Sequence, residues 1–180
     1  VSSIPHTTLS GTATVLWNTL TDDALSAAIP IPFTFNFYGA AATQLYVSTN
    51  GYIQIQTSTA NSTLPQTLPD AATPNGVIAL AWDDLIVDPT TNPGSAVQYF
   101  VSGTAPNRIM VLQYVNLRFL GGTGAQNVTG QIRLFESDSH IEVHATTVND
   151  NGNNYLKTLG VENAAGSSGS APAGRNNAAW

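Results

Sequence analysis

From Ile29 to Tyr38 the chain alternates apolar and polar residues with a period of two, and this pattern constrains the fold more than any other feature. Phe33, Phe35 and Phe37 fall on one face of an extended strand, and Thr34, Asn36 and Tyr38 on the other, because successive strand side chains point to opposite sides. Pro30 and Pro32 mark this strand as an edge or its start as a strand entry, since proline gives no N–H to a ladder. The same period returns at Leu45 and Val47 against Tyr46 and Ser48, and at Ile53 and Ile55 against Tyr52, Gln54 and Gln56. Asn50-Gly51 lies between them. That dipeptide favours the two positive-φ positions of a type I′ turn, so Gln44–Gln56 reads as a hairpin.

Further strands are expected at Thr12–Trp17, Val77–Trp82, Val97–Val101, Arg108–Phe119, Val128–Phe135, His140–Ala145 and Leu156–Val161, separated by Gly-, Pro-, Asn- and Ser-rich turns. Arg108–Phe119 is apolar on both faces at several positions, as a central covered strand would be. The prediction is an all-β fold, an antiparallel β-sandwich or flattened barrel of about ten strands. Only Asp22–Ala28 suits a short helical turn. Thr57–Pro74, rich in Thr, Pro and Ala, reads as a long surface excursion, and Ala164–Ala173, with its Gly/Ser run, as the start of a flexible linker. The organisation expected is an N-terminal arm and first strand over 1–28, a β-sandwich core over 29–165 and a Gly/Ser-rich tail over 166–180.

The length of 180 residues suits one domain with a full hydrophobic core. Charged residues make up only 9% of it against the usual quarter, so solubility comes from Ser, Thr, Asn and Gln. The net charge of −6 and four scattered arginines with one lysine leave no basic patch, which argues against nucleic acid. The absence of cysteine removes disulfides, thiolate metal sites and Cys nucleophiles. The longest apolar run, Val77–Trp82, is strand-sized, so membrane insertion by a helix is not expected. A chain beginning at Val1 with no signal-peptide pattern fits a processed secreted form.

Pro32-Phe33-Thr34-Phe35-Asn36-Phe37-Tyr38-Gly39, then Val47-Ser48-Thr49-Asn50-Gly51-Tyr52-Ile53, resembles the opening of nidogen-like extracellular domains and their bacterial relatives. The likeness continues through Pro74–Ala79, Trp82-Asp83-Asp84-Leu85, Gly103–Arg108 and Leu159–Asn163, spanning roughly Ile29 to Gly169. The resemblance implies one β-rich module with an extracellular or cell-surface address and an interaction role, and it carries no catalytic residue to transfer.

Candidate chemistry is sparse. Asp83, Asp84 and Asp88 offer hard oxygen ligands to a calcium ion, or else cap a turn and face water. No other cofactor is expected. His140, Glu142 and His144 share one strand face, where neighbours about 7 Å apart suit a shared metal, but the alternation explains the segment as a solvated polar face over core Ile141 and Val143. No serine sits in a nucleophile elbow, so an enzyme is not expected. Tyr38, Tyr46 and Tyr52, with Gln54 beside them, share the face opposite the phenylalanines; left open, it would stack on sugar rings or bind a protein. Asn61-Ser62-Thr63 and Asn127-Val128-Thr129 match the glycosylation acceptor pattern. The functional expectation is a non-catalytic surface module for adhesion or structural assembly. Its partners would be copies of itself or other surface proteins, as in a filament or surface layer built by exchange of the N-terminal arm, with carbohydrate binding as the alternative.

Overall fold

The computed structural model describes residues 9–180. The strands are β1 (Thr14–Trp17), β2 (Ile29–Phe37), β3 (Ala40–Val47), β4 (Tyr52–Ile55), β5 (Val77–Trp82), β6 (Leu85–Ile86), β7 (Ala96–Ser102), β8 (Ile109–Phe119), β9 (Asn127–Phe135), β10 (Ile141–Asn149), β11 (Leu156–Glu162), β12 (Gly169–Ser170) and β13 (Ala178–Ala179). They form two antiparallel sheets. The first has the order β1-β7-β8-β9-β10, with β6 also pairing β8; the second has the order β12-β11-β5-β4-β3-β2, with β13 also pairing β11. Of the two architectures expected, the sandwich is the one found. No helix occurs among the described residues; Asp22–Ala28 is held instead by isolated bridges, Thr21 to Val87 and Leu25 to Ser48.

The core between the sheets follows from the alternation. In β2 the buried positions are Ile29, Ile31, Phe33, Phe35 and Phe37, and every residue between them is exposed. Central β8 contributes Leu112 and Tyr114 from the opposite sheet, and β9 contributes Ile132 and Leu134. Tyr114 pays for its burial with one bond: its hydroxyl crosses the sandwich and donates to the Tyr52 carbonyl at 2.8 Å. β2 is an edge strand, as its prolines required, and the Asn36 N–H is taken by Ser139 Oγ at 3.0 Å. Together these devices blunt the edge against pairing with another chain.

The turn chemistry differs from expectation in an instructive way. The two consecutive positive-φ residues closing a tight hairpin are Tyr38 (50°) and Gly39 (81°), between the paired Phe37 and Ala40. At Asn50-Gly51 only the glycine has positive φ. Asn50 is instead fully buried as a crosslink: its Nδ2 donates to Asp23 Oδ1 (3.0 Å) and the Ser62 carbonyl (3.3 Å), and its Oδ1 accepts the Leu85 N–H (3.0 Å). Gly51 is required by space as well, because a Cβ there would lie 2.6 Å from the Ala81 carbonyl oxygen.

The C-terminal segment is not a free linker. Residues of β12 and β13 pair with β11, and the Leu159 N–H bonds the Arg175 carbonyl at 2.8 Å. At the other end β1 pairs β7, and the Leu9 backbone exchanges two hydrogen bonds with the Gln131 side chain. Residues 1–8 of the expected arm lie outside the described residues.

Candidate binding groove and carboxylate sites

Of the two states the tyrosine face could take, open or covered by another strand or loop, it is covered over most of its length. Tyr52 and Gln54 have no exposure, because residues 57–75 cross the outer face of β4 and β5 as a strap. Strap groups replace water: Gln54 Nε2 donates to the Ala60 carbonyl (2.6 Å), and its Oε1 accepts the Thr59 N–H (2.9 Å). The Tyr52 hydroxyl donates to Asn61 Oδ1 (2.8 Å) and accepts the Ser62 N–H (2.8 Å). Trp82 Nε1 donates to the Ser62 carbonyl (3.2 Å), with its ring 4.6 Å from that of Tyr52. Leu68 completes a second apolar cluster with Tyr52, Val77, Ala79 and Trp82. The strap is tied in turn to the tail, where the Asn176 side chain bonds both the N–H (2.8 Å) and the carbonyl (2.7 Å) of Leu68.

Tyr46 is half-buried, its hydroxyl accepting from Gln44 Nε2 at 3.0 Å. Tyr38 is the tyrosine of the three that stays open, at 47% exposure. The left-handed turn projects it, and its ring stands edge-on to Phe37 with centroids 5.0 Å apart. Beside it lies a groove of about 290 Å³. Buried Phe37, Ala42 and Ile55 reach it from the core, small Ala40, Ala41 and Ala164 keep it wide, and Gln56 and Thr57 line its polar side. Gln56 Oε1 is already engaged by the Thr43 N–H (2.8 Å), and Asn163 Oδ1 by the Ser167 N–H (2.9 Å).

The three aspartates expected around calcium do not form one site. Asp88 turns to Arg118, with Oδ2 2.9 Å from Nη2, and its Oδ1 accepts the Thr90 and Thr91 N–H groups. The bonds from Thr91 and the Arg118 guanidinium hold its pKa down at about 2. Asp83 is buried beside the β5 terminus, where its Oδ1 accepts the Asp84 N–H (2.8 Å), and burial pushes it up to about 6. Asp84 groups with Asp22 and Asp23, their carboxylate oxygens within 4.8 Å of one another. Burial first, then the charges of Asp23 and Asp22, raise Asp84 to about 6.

The His140, Glu142 and His144 face is not the solvated one expected. His144 is buried, its Nε2 2.7 Å from Glu142 Oε2, and buried Arg133 reaches the same oxygen at 3.4 Å. His140 stays half-exposed, stacked on Phe135 and bonded to Asp138 Oδ1. Glu142 thus joins His144 and Arg133 in one polar network on the outer face of the first sheet.

A two-sheet antiparallel sandwich, closed over its own outer face by a strap and open at one hairpin, defines the class of module. The family model described as NIDO related matches residues 2–179, so the chain belongs to the nidogen-related domain family. Comparison with curated proteins and with solved structures found no match.

Proposed function

We propose that this chain is a non-catalytic extracellular surface module acting in adhesion or structural assembly, and that it takes hold of its partner through the groove beside Tyr38. Membership of the nidogen-related family supports the extracellular address. The groove carries the contact: an aromatic ring fixed in a tight turn stands over an apolar cleft whose floor is continuous with the core. Such a cleft receives an apolar side chain of a partner, with Tyr38 closing over it as an anchor.

The carbohydrate reading keeps one feature, the open Tyr38 ring. The Gln56 amide oxygen and both ends of the Asn163 amide are engaged within the chain, and Gln54 is sealed, which leaves few polar groups for sugar hydroxyls and favours a protein partner. Labelled chain binding to intact cells of the organism that makes it tests the proposal. Ala41→Arg, which fills the groove with a charge, should abolish binding; a free monosaccharide that competes would instead support the sugar reading. Binding unchanged by Ala41→Arg and by Tyr38→Ala would end the proposal.

A further inference from the structure

The chain has a single lysine, and it is fully buried. Lys157 Nζ lies 2.9 Å from Asp150 Oδ2 and 2.7 Å from the Tyr155 carbonyl. Aromatic rings enclose it: Phe119 at 5.5 Å and Trp180 at 5.7 Å from Nζ, with Tyr155 stacked on Phe119. Taking an ammonium out of water is expensive even when it is paired, and an apolar side chain would fill the same space at less cost. A third group completes the cluster. Asp83 follows Trp82, the ladder partner of Thr158, so the next step along both strands sets Asp83 opposite Lys157. Asp83 feels the charges of both Lys157 and Asp150.

The geometry points to a covalent modification: Lys157 and Asp150 condense to an intramolecular amide, with Asp83 relaying the proton. One proton passes from the ammonium to the Asp150 carboxylate, leaving an amine and a carboxylic acid. The amine lone pair then forms the Nζ–Cγ bond. The Cγ–Oδ2 bond breaks as the oxygen leaves as water, carrying the acid's own proton and one taken from Nζ through Asp83. The sum is amine plus acid giving amide plus water, with no oxidant or further reactant. Burial raises Asp83 to about 6, close enough to neutral pH for its carboxylate to take a proton from Nζ and hand it to the leaving oxygen. Contact distance and the enclosure by aromatic rings supply the proximity that such condensations lack in water. Because β10 belongs to the first sheet and β11 to the second, the bond would pin the crossover between them. This inference does not rest on the groove, and its test reads mass rather than binding.

The test is the intact mass of the purified full-length chain after incubation at neutral pH, followed by trypsin digestion. The expected result is a chain lighter by one water and uncut at Lys157, with residues 134–175 recovered as one peptide that lacks one water. Asp150→Ala and Asp83→Asn should each show the full mass expected from their sequence and be cut at Lys157. A wild-type chain of full mass overturns the proposal. So does a loss of water with Lys157 still cleaved, which would mark a cyclic imide at Asp150. Asp83→Asn that cross-links like wild type removes Asp83 from the reaction.

Discussion

The two halves of the second sheet meet solvent differently. Over β4 and β5 the outer face is aromatic and polar, and the strap satisfies it group by group; at the β2–β3 hairpin the chain leaves an aromatic ring and an apolar groove uncovered. The difference lies in how each region is assembled. The strap is fastened by its own Asn61 and Ser62 to Tyr52 and by Leu68 to Asn176, 108 positions away in the tail, whereas the hairpin is closed locally by Tyr38 and Gly39. A covered face buys stability; an uncovered one is free to be used.

The largest break in this contrast should come from Trp82→Ala, which empties the centre of the strap cluster and removes one of the two donors to the Ser62 carbonyl. A loss of about 3–5 kcal/mol in denaturant unfolding is expected. Asn50→Ala should cost less, about 1–3 kcal/mol, because the Leu85 N–H and the Ser62 carbonyl lose a partner inside the protein while no large volume is lost.

The carboxylates sharpen the comparison through pH. Asp83 and Asp84 titrate near 6 in the folded chain, above the ordinary value of 3.8, so protonation favours the fold. Their contribution is fully present below about pH 4 and is lost as pH rises through 6. Asp88, and Glu136 just after β9, which the Arg108 guanidinium holds down by a hydrogen bond of 2.6 Å, are both near 2 and act in the opposite sense, contributing above their ordinary values and losing that contribution only as pH falls toward 2. Thermal unfolding should therefore show a higher Tm at pH 5 than at pH 7.5. A flat or inverted profile would contradict the assignment, and Asp84→Asn should shrink the difference.

Much of this fold could be read from the sequence. The period-two pattern located β2, β3, β4 and β8 and put Phe33, Phe35 and Phe37 in the core, because alternation reports directly on which side of a strand is buried. It cannot report on what covers the other side. Tyr52 and Gln54 look as exposed as Tyr38 in the sequence, and the strap that seals them has no period of its own. Asn50 was misplaced for a related reason: a turn-forming dipeptide also suits a buried crosslink, and its long-range partners Asp23 and Leu85 leave no local trace. The aspartates behaved likewise, since only the fold brings Asp22 and Asp23 to Asp84 and sends Asp88 to Arg118.

The smallest effect on stability is expected at Tyr38. Tyr38→Ala lies on an exposed turn and should change unfolding by no more than about 0.5 kcal/mol, while removing the anchor on which the proposed function depends. The most direct test of that function is oxidative footprinting of the tyrosines, comparing the free chain with the chain attached to intact cells of the organism that makes it. The account predicts strong labelling of Tyr38 in the free chain, protection of Tyr38 on attachment, and no labelling of Tyr52 in either state. Equal labelling of Tyr38 before and after attachment would contradict it.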